Sequence, residues 1–466
     1  MLFSSVSFLF MFLPLVCAAY FLVRRELKND VLLAASILFY AWGEPRYLAV
    51  MLTTILINYA GAMLIDRHRS RGKLILALSV VADLSFLFYF KYFNFVLTNV
   101  NSLFHAGFEP LNVVMPIGIS FYTFQAMSYL VDVYRGETPV QKSVYKLALY
   151  VSLFPQLIAG PIVKYRDVAD QIDGREESFD KVAYGAKRFT VGLAKKMLIA
   201  NTLGAVADKI FEQPINQFSV STAWIGAFAY AFQLYYDFSG YSDMAIGLGS
   251  IFGFKFLENF NYPYISKSIT EFWRRWHISL STWFKEYLYI PLGGNRVSKR
   301  RNLFNLFVVF LATGVWHGAA WTFVVWGLWH GLFIIIEKAT GFAKKEGGRA
   351  FTALKHVYTI AVFLFGWILF RADTVRYASQ YVRRMFGVFR QSDVAFDLSY
   401  YIDRIEILAF IAAFVCAMPV FKNMLTVSPE RKVLYALVNV WMILLFVLSA
   451  AFVAASTYNP FIYFRF

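Results

Sequence analysis

The sequence predicts an all-α membrane protein whose chain crosses the bilayer many times. Hydrophobic residues make up 59% of its 466 positions, whereas soluble domains are typically about 45–50% apolar. Apolar segments recur along the chain at lengths near the roughly 20 residues that a spanning helix needs. The basic residues, which leave a net charge of +16, fall in short clusters between these segments, as the positive-inside rule describes.

The predicted spans differ in length and regularity. The long apolar segments are 5–23, 47–65, 74–92, 220–236, 303–316, 321–337, 352–370, 405–420 and 433–455. Shorter segments are 31–42, 113–131, 147–163 and 189–206. Several segments contain Pro or Gly, which predicts broken or re-entrant helices. Such backbone is tolerated at membrane depth only where protein or a watery cavity covers it.

We predict one integral membrane domain over residues 1–466. It divides into N-terminal helices (1–131), a core that carries the chemistry (147–337) and C-terminal helices (352–466). No basic residue precedes the first apolar segment, whereas a secretory signal places its charges ahead of the apolar stretch. We therefore expect residues 5–23 to be a retained helix.

The basic clusters predict the orientation of the chain. Placing each of them in the cytoplasm makes the long helices alternate and leaves both termini outside. These clusters are 24–28, 66–73, 295–301, 338–349 and 422–432. The segment 371–404 is the weak point, because it carries Arg383 and Arg384 yet must lie outside. The same clustering argues against a nucleic-acid partner.

Carboxylates inside apolar sequence mark the first segment with possible chemistry, 235–243. Asp237 and Asp243 flank Ser239 and a glycine that is expected to break the helix. One interpretation is a structural loop in which the two aspartates cap helix ends. A second is a polar cavity that orders a substrate or a histidine, because ionisable groups in a bilayer are costly and mark function. A cation site is the third interpretation.

The second segment, 268–277, begins with Ser268 and Glu271, a capping-box signature that predicts a helix start. Arg274 and His277 would then share one helix face. The aromatic residues around them, including Trp276, suit a helix lying at the membrane interface. The alternative to a functional role is therefore an amphipathic surface helix with a solvated His277.

Two Trp-His-Gly triplets in an apolar hairpin form the third segment. They contain Trp316 with His317, and His330 thirteen residues later. His317 is predicted to lie well inside the membrane, where an imidazole needs a partner or a polar cavity. The glycines Gly314 and Gly318 lack side chains, which lets other backbone or substrate approach closely. A metal site is not expected, because no pair of histidines has the i, i+4 spacing and no cysteine is nearby.

Several sequence blocks resemble the membrane-bound O-acyltransferase family, in particular its alginate and polysaccharide O-acetyltransferase branch. The resemblance runs nearly end to end and includes the opening MLFSSVSFLFMFLPLV. The other blocks are FPQLIAGPI (154–162), DFSGYSDMAIG (237–247), FWRRWHISLSTWFKEYLYIPLGGNR (272–296), GVWHGAAWTFVVWGLWHG (314–331) and the closing 458–464.

The resemblance implies a ring of roughly 11 or more transmembrane helices, with re-entrant and interfacial helices, around a central funnel. It implies that His317 is the essential histidine and that His277 is the second histidine of the bacterial branch. The donor would be a cytoplasmic acyl thioester such as acetyl-CoA, with no bound cofactor. An esterase-like (SGNH-type) partner, periplasmic or membrane-anchored, would complete acylation of a polymer outside the inner membrane.

A mechanism follows from these expectations. Burial disfavours a charged imidazolium, so His317 suits the role of general base toward an attacking hydroxyl. His277 would orient the acceptor or stabilise the oxyanion, and a covalent acyl-histidine stays open. Arg274, Arg275 and Arg296 are candidates for the donor's phosphates, although such arginines often meet lipid headgroups.

Other classes of function remain open at the level of sequence. A D-alanyl, lipid or protein acyltransferase of the same family is the alternative within the enzymes. A transporter would explain buried polar groups, and a scaffold subunit would only recruit the partner. Neither needs two Trp-His-Gly triplets.

The predicted orientation is testable by cysteine labelling in a variant whose Cys17 and Cys416 are serine. A cysteine at Ser70 should resist an impermeant thiol reagent in intact cells, because its basic loop is cytoplasmic. A cysteine at Ser456 should react. The reverse pattern would overturn the orientation.

Overall fold

The computed structural model describes residues 1–388, 396–456 and 458–462, and these contain helices and no strand. They form two compact units. The first comprises residues 1–189 and 244–257, and the second comprises residues 190–243 and 258–466 within the described ranges. The prediction of a single domain in three parts stays a prediction.

The first unit is built from helices α1 to α9 and the beginning of α10. Their bounds are α1 Leu13–Leu22, α2 Lys28–Gly43, α3 Leu48–Arg67, α4 Gly72–Leu87, α5 Phe93–Phe104, α6 Ile119–Arg135, α7 Val144–Ser152, α8 Phe154–Leu157, α9 Tyr165–Gly174 and α10 Phe179–Ala194. Helices α3, α4 and α6 pack against one another. A π-helical turn, Phe8–Phe12, precedes α1.

The second unit contains the segments predicted to carry chemistry. Its helices are α11 Asn201–Phe211, α12 Val220–Ile251, α13 Ile269–Arg275, α14 Ile278–Phe284, α15 Lys299–His317, α16 Trp321–Thr340, α17 Arg349–Arg371, α18 Val375–Met385, α19 Arg404–Cys416 and α20 Lys432–Ala455. The end of α12 belongs to the first unit. Helices α13, α15 and α17 all pack against α16.

Five described helices are long and apolar enough to cross a membrane, which confirms an all-helical protein with several membrane spans. They are Pro45–Arg67, Arg69–Phe104, Trp321–Thr340, Arg349–Arg371 and Lys432–Ala455. Residues Arg404–Cys416 and Pro419–Thr426 form a sixth span if the pair, bent by 64°, is counted as one. These helices do not confirm the larger predicted count. Other apolar segments, such as Phe8–Leu22, are shorter.

Two of the predicted spans are irregular in the structure. The predicted span 147–163 divides into α7 and α8 at Leu153, whose non-helical conformation (φ −53°, ψ +110°) precedes Phe154 and Pro155. Because proline lacks the N–H that continues a helix, this break is a local consequence of sequence. The predicted span 189–206 is interrupted by a π-helical turn, Lys195–Ala200, which contains neither Pro nor Gly.

The expected helix break at Ser239 and Gly240 is wrong. Helix α12 runs without interruption through both residues. A Cβ on Gly240 would lie 2.7 Å from the carbonyl oxygen of Gly192, so the glycine allows another segment to pack closely against α12. Asp237 and Asp243 consequently lie inside a helix and cap neither of its ends.

The predicted start of α13 is confirmed. The Ser268 hydroxyl accepts a hydrogen bond from the Glu271 N–H at 3.0 Å. The Glu271 carboxylate reaches the N–H of Lys267 instead of that of Ser268. A buried carboxylate from α16, Glu337, accepts the remaining N–H groups of the first turn, those of Ile269 and Thr270, at 2.6 and 2.8 Å. Carboxylates at a helix start are favoured by the helix dipole.

Helices α15 and α16 form the predicted hairpin, and glycines set their spacing. A Cβ on Gly314 would lie 3.1 Å from the Cα of Gly327, and a Cβ on Gly327 would lie 2.4 Å from the carbonyl oxygen of Phe310. Small residues allow helix backbones in membranes to approach in this way. The hairpin places His317 at the end of α15 and His330 in the middle of α16.

This packing gives a stability prediction. Gly327→Ala should lower the free energy of unfolding by about 1–3 kcal/mol, because the added methyl has no room against Phe310. Gly174→Ala is the matched control, since a Cβ there meets nothing within 4 Å. The measurement is the melting temperature in detergent. Equal melting temperatures for the two variants would contradict the packing described.

Candidate active site

His317 is the last residue of α15 and is 5% exposed. Three aromatic rings surround its imidazole. The ring centroids lie 4.9 Å from Trp316, 4.8 Å from Trp326 and 5.3 Å from Phe370. All three arrangements are edge to face, so the rings fix the plane of the imidazole. The chain leaves the helix directly afterwards, because Gly318 is extended.

A narrow cavity opens at this imidazole. About 260 Å³ of non-atom space lies in and around it, open space outside its mouth included. The lining residues, all from the second unit, are Leu234, Phe238, Trp276, His317, Trp326, Trp367 and Phe370. Six of the seven are apolar or aromatic and His317 supplies an imidazole, so the wall suits a thin apolar group brought to one titratable side chain.

Gly314 and Gly318 were expected to let either other backbone or a substrate approach His317 closely. They leave no space for a substrate and do not enlarge this cavity. The space over Gly314 is filled by the α16 backbone, and a Cβ on Gly318 would lie 2.1 Å from the ring of Phe323. Close approach of other backbone and side chains is therefore what these glycines permit. The cavity is formed by the aromatic side chains instead.

His277 is buried, with 1% of its surface exposed, so the solvated surface helix is wrong. It does not share a helix face with Arg274 either. Helix α13 ends at Arg275, and His277 has φ +43° and ψ +55° in the left-handed region before α14 begins. The turn directs His277 inward, whereas Arg274 remains exposed.

The two histidines approach each other through one tryptophan. The Trp316 ring lies 4.9 Å from the ring of His317 and 6.3 Å from that of His277. His277 also meets Phe238, a lining residue of the cavity, edge to face at 4.6 Å. Of the predicted site residues, His317 and Trp276 thus line the described cavity, and Trp316 and His277 stand directly behind its wall.

Asp237 and Asp243 are each paired with a lysine. Asp237 Oδ1 lies 2.5 Å from Lys196 Nζ, and Asp243 Oδ2 lies 2.6 Å from Lys195 Nζ. The two aspartates and Lys196 are buried. The loop interpretation is wrong because the segment is helical, and each of the two carboxylates has a lysine ammonium group of this chain as its ion partner.

The C-terminal segment is held at the same ion pair. The N–H of Ile462 donates to Asp237 Oδ2 at 2.9 Å, and Lys196 donates to the carbonyl of Pro460. The ring of Phe461 lies 4.9 Å from that of Tyr241. Asp237 therefore holds residues 460–462 and is not among the residues that line the cavity. Tyr463 and Phe464, the last residues of the closing sequence block, lie outside the described residues.

Ser239 and His330 are buried and do not line the described cavity. The Ser239 hydroxyl and both ring nitrogens of His330 have no hydrogen-bond partner among the described residues. His330 packs against the backbone of Gly366 and meets the rings of Trp273 and Trp326. His330 lies in the middle of α16.

The three arginines predicted to bind the donor's phosphates do not line the described cavity. Arg274 and Arg296 are exposed, and Arg275 forms an ion pair with Glu271 at 2.9 Å. Their role toward phosphates stays a prediction.

Sequence reasoning missed several residues that build the site. The cavity wall contributed by α17, Trp367 and Phe370, carries no motif that would have indicated it. Lys195 and Lys196 did carry a signal, because two ammonium groups in an apolar segment need buried carboxylates as partners. Asn259 was also missed; its side-chain oxygen lies 3.2 Å from His277 Nδ1.

Comparison with known proteins gives the family. The chain matches the membrane-bound O-acyltransferase family over residues 37–376. A protein of Pseudomonas putida named probable alginate O-acetylase is 41% identical over 492 aligned positions, and the match covers both chains in full. A protein of Pseudomonas syringae pv. tomato with the same name is 46% identical over 83% of this chain and 75% of its own length. A peptidoglycan O-acetyltransferase of Helicobacter pylori is 37% identical, over 91% of this chain and 87% of its own.

The chain belongs to the membrane-bound O-acyltransferase family. It is a multi-pass membrane protein and an acyltransferase, which confirms the resemblance noted from the sequence blocks.

The buried ion pair beneath the C-terminal segment gives a second stability prediction. Lys196→Met should lower the free energy of unfolding by about 3–5 kcal/mol, because it leaves the Asp237 carboxylate buried without a cation. Adding Asp237→Asn should recover part of that loss. Lys146→Met, which breaks a more exposed pair with Asp173, should cost about 0–1 kcal/mol. Thermal unfolding in detergent compares the variants, and equal losses for both lysines would refute the anchoring role.

Proposed function

We propose that this protein transfers an acyl group, acetyl in the first instance, from a cytoplasmic thioester across the membrane for O-acetylation of a polysaccharide outside. Alginate, peptidoglycan or a similar polymer would be the acceptor. The names of the relatives support this choice, since three of them at 37–46% identity are called alginate O-acetylases or a peptidoglycan O-acetyltransferase.

The observation that carries the proposal is the imidazole of His317 at the wall of a narrow aromatic cavity. A thioester is already activated toward attack, so holding donor and acceptor together beside one base supplies much of the rate. An apolar wall favours the neutral imidazole, which is the form that accepts a proton.

In the proposed reaction His317 takes the proton from the acceptor hydroxyl as its oxygen attacks the thioester carbonyl. The new C–O bond forms, the C–S bond breaks, and the proton passes to the departing thiolate. The products are an ester and a free thiol. The edge-to-face contacts of Trp316, Trp326 and Phe370 would hold the imidazole plane during this transfer. An acyl-histidine intermediate at His317 is the covalent alternative.

The proposal extends to the donor, the partner and the topology. Acetyl-CoA is the proposed donor, with Arg274, Arg275 and Arg296 as candidates for its phosphates. The exposure of Arg274 and Arg296 leaves both accessible to a ligand. We propose an SGNH-type esterase-like partner outside the bacterial inner membrane, both termini on that side, and a ring of roughly 11 or more helices around a funnel.

A D-alanyl, lipid or protein acyl acceptor is the alternative within the family. A transporter or scaffold that performs no acyl transfer is the alternative outside the proposed chemistry. Acetyl transfer from a labelled thioester by membranes containing this protein and the partner discriminates among them.

Replacement of His317 tests the proposed function. His317→Ala and His317→Asn should lower acetyl transfer by about 10²–10⁴-fold, as loss of a general base does. Membrane insertion and melting temperature should change little. His330→Ala should reduce transfer less, because His330 does not line the described cavity.

The measurement is formation of acetylated product at matched expression of the three variants. A folded His317→Ala variant that retains most of its activity would refute the assignment of the base.

A further inference from the structure

Asn259 holds the turn that carries His277. It is fully buried and lies in the segment between α12 and α13. Its backbone carbonyl oxygen accepts a hydrogen bond from the N–H of Ile278 at 2.9 Å. Its side-chain oxygen accepts the N–H of Ser279 at 3.2 Å and the Ser279 hydroxyl at 2.9 Å. One residue therefore contacts the backbone of two consecutive residues that follow His277.

These hydrogen bonds determine which way the Asn259 amide points. A backbone N–H can only donate, so the side-chain atom that faces Ser279 must be the oxygen. On the opposite side the amide nitrogen donates to the Ser242 hydroxyl of α12 at 2.9 Å. The assignment thus follows from the surrounding network, which is how amide orientation is established.

The same oxygen determines where His277 carries its hydrogen. It lies 3.2 Å from His277 Nδ1. An amide oxygen only accepts, so Nδ1 is the protonated nitrogen, and a neutral imidazole then has its lone pair on Nε2. The Ser279 hydroxyl is 3.4 Å from Nδ1, but its hydrogen is directed to Asn259 at the shorter distance of 2.9 Å.

The backbone of His277 is also held in a disfavoured conformation. Its φ of +43° lies in a region that residues with a side chain rarely adopt. The turn is held from both sides, by Asn259 through Ile278 and by the Ser281 N–H, which donates to the His277 carbonyl at 3.1 Å. Such strain persists where the surroundings over-determine it, and it is frequent at functional sites.

We propose that Asn259 is a positioning residue that holds His277, which stands behind the cavity wall, in the tautomer protonated at Nδ1, so that its lone pair is on Nε2 and this nitrogen is an acceptor of hydrogen bonds. This inference rests on the acyl-transfer function proposed above. It selects between the two roles open to His277. A neutral imidazole without a hydrogen on Nε2 orients a hydroxyl, whereas stabilising an oxyanion from that nitrogen needs a donor.

A double-mutant cycle tests the inference with the full-length protein in membranes and labelled acetyl-CoA as the probe. Asn259→Leu and Asn259→Ala remove the acceptor, and each should lower kcat at least tenfold while KM for the thioester stays within twofold. His277→Ala alone should lower kcat at least tenfold. Combined with His277→Ala, the Asn259 substitutions should cost less than a further twofold, because they act through the same imidazole.

Asn259→Asp is the conservative variant. Its carboxylate still accepts from Nδ1 and from Ser279, so transfer should recover to within about threefold of wild type. Thr359→Val is the matched control. It removes a buried hydroxyl whose hydrogen bond among the described residues stays within its own helix, to the Lys355 carbonyl oxygen at 2.8 Å, and it should leave kcat unchanged.

Two results would overturn the positioning role while the wild type remains active. One is multiplicative loss in the double mutants, which marks independent effects on structure. The other is an Asn259→Asp variant no more active than Asn259→Ala at equal melting temperature. If Asn259→Leu does not insert, Asn259→Ala supplies the same comparison. A wild-type protein that transfers no acetyl group removes the proposed function and this inference together.

Discussion

The second unit depends on one constraint, which is that polar groups placed inside an apolar protein must find partners within the chain. Burying a charge without a partner is costly, and in a membrane no water replaces the missing partner. Lys196 and Asp237 meet this constraint together, and the remaining hydrogen-bonding capacity of the pair holds the backbone of the C-terminal segment. At the start of α13, Glu337 accepts hydrogen bonds from backbone N–H groups, and in the turn after α13 Asn259 provides the partner of His277.

Packing of backbone and rings then determines what surrounds His317. Glycines bring α15 and α16 so close that Trp326 of the second helix reaches His317 at the end of the first. Helix α17 completes the wall with Trp367 and Phe370. The imidazole is thereby enclosed by side chains that offer shape and little charge. Such an environment suits a narrow apolar ligand.

Local sequence rules succeeded and failed within a few residues of each other. The helix cap at Ser268 was correctly predicted, because a serine three residues before a glutamate indicates a helix start from neighbouring residues alone. The continuation of that helix to His277 was wrong. Its end depends on Asn259, which comes from earlier in the chain and holds the next turn. The expectation of one continuous helix therefore placed Arg274 and His277 on the same face. In the structure Arg274 is exposed and His277 is buried.

The sequence by itself determined the helical class, the segments that form the helices and the family, because apolar length, basic clusters and motif blocks are properties of neighbouring residues. It also indicated His317 and His277. The tertiary structure decided what surrounds them. The aromatic wall comes from α12, the turn after α13, α16 and α17. The partners of Asp237, Asp243 and His277 come from segments distant in sequence. Those choices depend on which surfaces pack together, and a pattern read along one segment holds no information about the segment that will cover it.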